Sequence, residues 1–275
     1  MEKIRKLITL DNVREPVSII PFSDIHLGAD GCNKKYLRNT VKWIENKENC
    51  YAIGIGDYCD CITIGDKRFD IKSVDKDFLP HLDNLPMEQL KVLEDILEPI
   101  KDKILCMIPG NHEDMFRIRN SLDIMHELNR DLGITVGAYV SNLTLDFNPN
   151  QFDNPKPVKF YLHHGWFSGR KPGGKLNQMI DASMGIGADV FIYGHSHSLI
   201  THEIATLEFD GEEDIPGVGR KGKKIFINSG TFMETYTSGG SGYAERHGYA
   251  MAKVGTARID VYPEHKPNPD IHVRI

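Results

Sequence analysis

The sequence feature that most constrains the fold is a series of short apolar runs, each followed by a polar cluster. One such run, Ile104–Ile108, leads into Pro109-Gly110-Asn111-His112-Glu113. A compact apolar run of this length predicts a buried strand, and Pro and Gly then end the strand and turn the chain. Asn111 presents a neutral oxygen ligand, and His112 can hold or release a proton near neutral pH. The segment is therefore a candidate reaction centre at a strand end.

Four further clusters of carboxylate or imidazole groups follow predicted strands. They are Asp24/His26 after 17–22, Asp57/Asp60 after 51–55, His163/His164 after 158–162 and His195/His197 after 189–193. Loops at the carboxyl ends of strands converge on one edge of a layered α/β fold, so we expect the five clusters to meet. Asp24 and His26 are two residues apart and would point the same way at an extended strand end. The same holds for His195 and His197. Each pair can therefore chelate a cation from one side.

The order of predicted elements indicates an α/β fold with two packed mixed β-sheets, a β-sandwich, flanked by helices. The 275 residues suffice for one large domain, and we predict a single domain over residues 1–275. Helical spacing of apolar residues predicts helices over 34–46, from Pro86 to Ile100, and from Ile118 to Leu132. The second half is strand-rich, with strands predicted over 135–147, 158–162, 189–193, 201–209, 224–228, 249–254 and 257–261. Loops are predicted over 62–84 and 211–223, the second as an exposed hairpin loop.

Composition narrows the cellular setting and the partners. No apolar run is long enough to span a membrane, and the basic N-terminus lacks the apolar core of a signal peptide. Five cysteines without framework spacing argue against a disulfide scaffold, so a reducing cytoplasm is the expected compartment. A net charge of −6 disfavours general nucleic-acid binding. Two divalent cations would nevertheless create a local field that attracts phosphate.

The clusters together supply carboxylate, imidazole and amide ligands but no thiolate. That mixture suits two divalent cations, with manganese preferred and iron or zinc as alternatives. An isolated histidine is usually a surface or hydrogen-bonded residue, and six are assigned that interpretation: His81, His126, His202, His247, His265 and His272. Cys59 and Cys61 are too close in sequence for a zinc knuckle and are interpreted as small buried residues.

In order along the chain, these clusters resemble the signature of the calcineurin-like metallophosphoesterases. The segments that carry the resemblance are Asp24-Ile25-His26, Gly56-Asp57-Tyr58-Cys59-Asp60, Gly110-Asn111-His112-Glu113, His164-Gly165 and Gly194-His195-Ser196-His197. The resemblance extends from about residue 17 to residue 230. Each segment alone is weak, and the ordered combination is highly specific.

The resemblance implies a role for each position. Asp57 would bridge two metals. The remaining ligands would be Asp24, His26 and His197 at the first site, and Asn111, His164 and His195 at the second. His112 is similar to the family's histidine that protonates the leaving oxygen, and Asp60 to the carboxylate that orients it. The fourth cluster leaves His163 as an alternative to His164.

The implied activity is metal-dependent hydrolysis of a phosphate ester, in which a hydroxide held between the cations attacks phosphorus. A phosphodiesterase is favoured, with nucleases included, because His112 would assist a poor leaving group. A phosphomonoesterase is the alternative, and a catalytically silent metal-binding scaffold is a further one. The substrate would be a phosphate ester, with nucleic acid or a nucleotide as one candidate, and no membrane partner is expected. The sequence leaves the oligomeric state open.

Basic and aromatic side chains near the clusters are candidates for substrate binding. They are Arg68, Arg117 and Arg119, together with Arg170, Lys171 and Lys175. Each could hold a second phosphate or a strand of nucleic acid, and each could equally belong to a solvated basic loop. Trp166 and Phe167 resemble a base-stacking platform, but such a pair could equally be core residues.

Overall fold

The computed structural model describes residues 1–10, 15–148, 156–167, 169–208, 220–236, 243–264 and 269–275. Its strands are β1 (Glu2–Ile8), β2 (Val17–Phe22), β3 (Cys50–Gly54), β4 (Ile104–Met107), β5 (Val140–Phe147), β6 (Val158–His163), β7 (Val190–Tyr193), β8 (Leu199–Glu208), β9 (Arg220–Thr231), β10 (Gly255–Thr256), β11 (Arg258–Tyr262) and β12 (Asp270–Arg274). Its α-helices are α1 (Lys34–Glu45), α2 (Leu85–Leu97), α3 (Asn111–Asn120), α4 (Ile124–Leu132), α5 (Pro172–Ser183) and α6 (Tyr243–His247). Short 3₁₀ helices cover Ile71–Ser73, Lys76–His81 and Glu98–Lys103.

The strands form two mixed sheets, as the sequence predicts. The larger has the order β1-β5-β6-β7-β9-β10, with β8 also paired to β9, and the smaller has the order β12-β11-β2-β3-β4. Strands β2, β3 and β4 run parallel, as do β6, β7 and β9, whereas β11 and β8 pair in the antiparallel sense. The predicted α/β architecture of two packed sheets flanked by helices is confirmed. The parallel strands matter for function because their carboxyl ends carry the polar clusters.

Three apolar clusters hold the layers together. Side chains such as Ile19, Ile53 and Phe160 are fully buried between the two sheets. A second cluster packs helices α1, α2 and α4 on the outer face of the smaller sheet. A third, around Phe191 and Met179, packs α5 on the larger sheet. Burial of apolar area on both faces of each sheet fixes the strand ends rigidly, which is what a constellation of loop side chains needs.

The predicted helix from Ile118 to Leu132 is wrong in one respect: the chain forms two helices there. Ser121 adopts a left-handed φ of 54° and ends α3, and Asp123 then caps α4 by accepting from the backbone N–H groups of Met125 and His126. Ile118 consequently lies on an exposed surface, whereas Met125 is buried. A side-chain cap overrode the apolar spacing, because an aspartate bonded to the first N–H groups stabilises a new helix start.

Other differences concern short elements. The described residues show no strand over 249–254, and helix α6 lies just before that stretch. Strands β1 and β12 and α6 were not predicted, because the first two carry many charges and α6 is very short. The first nine residues of the predicted 211–223 loop lie outside the described residues, whereas 220–223 belong to β9. No helix in the described ranges has the length and apolar character needed to cross a bilayer.

Candidate metal centre

The five polar clusters meet where strands of both sheets end. Loops after β2 and β3 are tied together, since the N–H of Asp24 donates to Gly56 O (3.0 Å) and the N–H of His26 donates to Asp57 O (3.0 Å). The loops after β6 and β7 are joined by the N–H of Gly194, which donates to His164 O (2.8 Å). These backbone bonds fix the loops against one another before any side chain is considered. The predicted convergence is therefore present.

Most of these residues have an unusual, left-handed backbone conformation. Residues Asp24, His26, Asp57, His195 and His197 all have φ between 48° and 66°. A non-glycine residue in this left-handed region costs about 1–3 kcal/mol, and such residues cluster at functional sites. We expected the two residues of each pair to point the same way from an extended strand end, and the backbone there is not extended. Asp24 and His26 still approach one another, whereas His195 and His197 belong to different groups of candidate ligands.

Glycine is required where two of these loops touch. Gly56 has a φ of +95°, and a Cβ there would lie 2.5 Å from the Cα of Gly110. A Cβ on Gly110 would lie 2.2 Å from the backbone nitrogen of Asp57. Real Cβ atoms do not approach so closely, so any larger residue at either position would push the loops apart. The two glycines therefore set the spacing between Asp57 and Asn111.

Asp24, His26 and His197 form the first group of candidate ligands, with ligand atoms that all lie within 4.8 Å of one another. The Nε2 atoms of His26 and His197 are 3.1 Å apart, and Asp24 Oδ1 is 3.3 Å from His197 Nε2. Asp24 is buried, and its Oδ2 accepts hydrogen bonds from the N–H of His195 (2.9 Å) and from Ser23 Oγ. Its Oδ1 is one of four buried side-chain atoms in the described residues with no hydrogen-bond partner.

Asp57, His164 and His195 form the second group, again with ligand atoms within 4.8 Å of one another. Asp57 Oδ2 is 3.1 Å from His164 Nε2. The side-chain oxygen of Asn111 lies 3.2 Å from the same nitrogen and 2.8 Å from His195 Nδ1. Asn111 therefore faces this group, and its role as a ligand of the second site stays a prediction.

Asp57 lies between the two groups, because its Oδ2 is also 3.8 Å from His26 Nε2. Its other oxygen, Oδ1, accepts from the backbone N–H of His112 at 2.9 Å. Each of the two aspartates thus has one oxygen fixed by N–H donors while the other faces imidazole nitrogens. This is the arrangement in which surrounding hydrogen bonds orient ligands toward a metal.

The donor set fits two divalent cations. The buried Oδ1 of Asp24 accepts no hydrogen bond and faces the Nε2 atoms of His26 and His197, and such an oxygen is costly to bury unless a positive charge satisfies it. His164 directs Nε2 inward because its Nδ1 bonds to the carbonyl of Ile55 at 2.7 Å, which is how metal-binding histidines are commonly held. Nitrogen and oxygen donors without thiolate suit manganese, iron or zinc.

The charges of the centre act on one another. Burial would raise the pKa of Asp57, but the imidazoles of His164, His112 and His26 hold it well below its usual value. Burial lowers the pKa of His164, whereas Asp57 and then Asp24 raise it, to about 10. The centre therefore presents ionised carboxylates to whatever positive charge occupies it.

His163 and His164 occupy different environments, although they are adjacent. His164 is fully buried within the second group, whereas His163 packs its ring 4.7 Å from that of Trp166 and accepts the N–H of Gly165 at Nδ1 (2.8 Å). Burial, followed by the charges of His164 and His195, lowers the pKa of His163 to about 4. Of the two alternatives, the geometry places His164 among the candidate ligands and His163 outside them.

His112 lies beside the first group, with its ring centroid 4.6 Å from that of His26. Burial lowers the pKa of His112, but the carboxylates of Asp57 and Asp60 raise it above the usual value. The predicted orienting contact differs in detail. The backbone carbonyl of Asp60 bonds to His112 Nδ1, whereas the Asp60 carboxylate is 3.8 Å from that atom and 3.5 Å from His26 Nδ1. The N–H of Asp60 is held by Leu27 O (3.0 Å), which fixes this backbone in the loop beside His112.

His26, Asp60 and His112 also form a third group whose ligand atoms lie within 4.8 Å of one another. It shares His26 with the first group. Proximity alone therefore does not identify the metal ligands, and the hydrogen bonds described above are needed to distinguish the groups.

Glu113 supports the centre, a role that its place in the Gly110–Glu113 segment did not indicate. Its buried carboxylate accepts four backbone N–H groups, from Asp57 (3.0 Å), Tyr58 (2.7 Å), Cys59 (3.1 Å) and Gly110 (2.9 Å). Burial and the charge of Asp57 raise the pKa of Glu113, and the N–H donors of Cys59 and Gly110 offset part of that rise. The available signal was a glutamate at the third position of a helix, which can bond back to the N-cap residue.

We expect Glu113→Gln to lower the free energy of unfolding by about 3 kcal/mol and to weaken metal binding. An amide NH₂ would replace one carboxylate oxygen and face two N–H donors, leaving buried groups unpaired. Urea unfolding and metal content measure the two effects. Asp114→Asn is the matched control, since Asp114 pairs at the surface with Arg117 (2.7 Å), and such pairs contribute about 0–1 kcal/mol. Equal stability and metal content in both variants would contradict the supporting role.

The other candidate side chains differ in their exposure and in the contacts that they make. Lys175 Nζ donates to Ser196 O (3.0 Å) and Ser198 Oγ (2.6 Å), so it braces the loop after β7. Trp166 is half exposed, whereas Phe167 is buried against Tyr193, so of these two only the tryptophan offers a surface for stacking.

Five of the six histidines assigned to the surface are exposed: His81, His126, His202, His247 and His272. His265 lies outside the described residues.

The chain is similar to a known protein family and to several solved structures. The family model for calcineurin-like phosphoesterases matches residues 17–199. Similar solved structures include vacuolar protein sorting 29 from Cryptosporidium parvum, at 12% identity and a TM-score of 0.39, covering 94% of this chain and 97% of that chain. Vps29 from Entamoeba histolytica in complex with zinc has 12% identity and a TM-score of 0.41, covering 94% and 98%. A predicted phosphoesterase from Streptococcus pneumoniae has 12% identity and a TM-score of 0.36, again covering 94% and 98%. Comparison with curated proteins found no match.

The family match covers all five polar clusters and the strands that carry them. It agrees with the fold of two mixed sheets and with candidate ligands at their carboxyl ends. The chain belongs to the calcineurin-like phosphoesterase family.

Proposed function

We propose that the chain is a phosphoesterase that uses two divalent cations and hydrolyses phosphodiesters in preference to phosphomonoesters. The single observation that carries this proposal is the pair of adjacent ligand groups with Asp57 between them and His112 alongside. Family membership supports the reaction class, and the preference for diesters depends on the role of His112.

In this proposal Asp57 would help to hold both cations. The other ligands are assigned as Asp24, His26 and His197 for the first cation, and Asn111, His164 and His195 for the second. Manganese is the proposed metal, with iron and zinc as alternatives, because the donors are oxygen and imidazole nitrogen. When bound, two such cations activate water near neutral pH and offset the charge that builds on the phosphoryl oxygens.

The protein's own contribution to bond cleavage comes from His112. Its Nδ1 bonds to the carbonyl of Asp60, which accepts and cannot donate, so this nitrogen carries the proton. Nε2 is then the ring nitrogen able to pass a second proton to the departing oxygen. An alkoxide leaves poorly, and a positioned acid contributes about 10²–10⁴-fold to the rate. The Asp60 carboxylate beside His26 Nδ1 orients that ligand in addition.

We expect manganese-dependent hydrolysis of bis-p-nitrophenyl phosphate to exceed that of p-nitrophenyl phosphate by at least about tenfold in kcat/KM, a difference of roughly 1.4 kcal/mol in the barrier. Both reactions are followed by release of nitrophenolate, with chelated protein as the control. Faster turnover of the monoester would replace the diesterase proposal with a phosphatase. No turnover of either ester by protein shown to contain metal would favour a silent scaffold.

A further inference from the structure

A cavity opens beside His112, and no member of the first or second ligand group lines it. Its volume is about 120 Å³. The loop after β3 and helix α3 form its walls, and the residues that determine its chemistry are Cys61, Asp66, Arg68, His112, Phe116 and Arg119. Phe116 and Cys61 are buried, whereas the two arginines are partly exposed. The cavity is therefore lined by buried side chains of low polarity and by two arginines that reach the surface.

Two guanidinium groups share one carboxylate in this cavity. Arg68 bonds to Asp66 through Nε (3.1 Å) and Nη2 (2.9 Å), and Arg119 bonds to the same carboxylate through Nη1 (2.5 Å). The Asp66 side chain is 7% exposed, and its bonds with Arg68 hold its pKa well below the usual range. One negative charge thus faces two positive charges. Among the described contacts, both guanidiniums retain N–H donors that Asp66 does not use.

Arg68 interacts electrostatically with the carboxylates of the reaction centre. Hydrogen bonding to Asp66 raises the pKa of Arg68, and the charges of Asp60 and Asp57 raise it further. His112 lines both the cavity and the centre. Arg117, on the same helix as Arg119, instead pairs with Asp114 and does not line the cavity. Of the two arginines on α3, Arg119 therefore lines the cavity and Arg117 does not.

We propose that this cavity binds a second anionic group on the leaving alcohol of the substrate, a phosphate such as a nucleotide carries. The inference rests on the proposed function, since His112 marks the leaving side only if it protonates the departing oxygen. Guanidinium groups bind phosphate through paired, charge-assisted hydrogen bonds, and a shared carboxylate holds them in place. The substrate class is accordingly a phosphodiester in which a neighbouring phosphate lies close to the bond that is cleaved.

Isothermal titration calorimetry of the manganese-loaded full chain tests the proposal without requiring turnover. The probes are thymidine 3′,5′-bisphosphate and the two thymidine monophosphates. We expect the bisphosphate to bind about 10- to 100-fold more tightly than either monophosphate, the range for one further charge-assisted contact. In Arg68→Gln and in Arg119→Gln that ratio should fall to about twofold.

Arg117→Gln is the matched control, because it also removes a surface arginine and its ion pair from α3 and should keep the ratio. Equal affinity of the wild-type chain for mono- and bisphosphate overturns the inference, as does a ratio that persists in both cavity variants or falls equally in the control. A purely structural role for the arginines predicts a lower melting temperature and equal losses of affinity for all three probes.

Hydrolysis of bis-p-nitrophenyl phosphate by the same samples tests the proposed function separately. If the chain prefers the bisphosphate but does not hydrolyse the ester, the anion site is supported and the proposed function is wrong. If the chain hydrolyses the ester but does not prefer the bisphosphate, the proposed function is supported and the anion site is wrong.

Discussion

Asp57→Asn is expected to lower kcat/KM for a phosphodiester by at least about 10³-fold, close to 4 kcal/mol of lost transition-state stabilisation, and to release most of the bound metal. Asp57 lies between the two ligand groups, with Oδ2 3.1 Å from His164 Nε2 and 3.8 Å from His26 Nε2. An uncharged amide cannot serve two cations as a carboxylate does. The amide would also leave the neighbouring imidazoles without their negative partner.

Metal content per chain and hydrolysis of bis-p-nitrophenyl phosphate are measured together. Asp260→Asn is the control for loss of stability alone, because Asp260 is a fully buried carboxylate on β11 that pairs with Ser18 (2.8 Å) and Arg258 (2.8 Å), apart from the polar clusters. That variant should lose stability but keep its metal and its activity once folded. Full metal content together with full activity in Asp57→Asn would show that the bridging role is wrong.

His112→Ala is expected to affect the two classes of leaving group unequally. Hydrolysis of a diester with an alkyl leaving group should slow by about 10²–10⁴-fold, because the departing alkoxide needs a proton. Hydrolysis of bis-p-nitrophenyl phosphate should slow by less than about tenfold, since nitrophenolate leaves without assistance. The backbone N–H of residue 112 still donates to Asp57 Oδ1, so metal content should remain unchanged.

The comparison requires kcat/KM for both esters in both proteins. His163→Ala is the matched control, because it removes a neighbouring imidazole that lies outside the candidate ligand groups. That variant should leave the ratio between the two esters unaltered. Equal and undiminished rates for both esters in His112→Ala would refute the acid role, and equal losses for both would indicate a structural one.

The sequence predicted the fold class and the convergence of the polar clusters because both depend on strong local signals. Apolar runs such as Val17–Phe22 are long enough to be strands by themselves, and that strand matches its predicted bounds. Parallel strands bring their carboxyl ends to one edge of a sheet, which groups the clusters after β2, β3 and β4 and, in the other sheet, those after β6 and β7. Ligand types then followed from residue chemistry.

What the sequence could not predict depends on backbone turns and on contacts distant in the chain. Asp24 and His195 have a left-handed φ that no residue type there requires. Both are held by N–H donors to other loops, Asp24 to Gly56 O and His195 to Asp24 Oδ2. Asp60 contacts His112 through its carbonyl because the loop backbone is held by Leu27, a partner that sequence spacing does not reveal. The helix break at Ser121 and the cap at Asp123 competed with an apolar pattern that favoured a continuous helix.

The measurement that tests the central claim most directly is a crystal structure of the manganese-loaded chain with anomalous scattering data. We expect two peaks about 3.5–4 Å apart, the separation typical of paired catalytic metals, one beside Asp24, His26 and His197 and the other beside Asn111, His164 and His195. Asp57 should contact both. A single peak, or a peak held by the group of His26, Asp60 and His112 instead, would contradict the account.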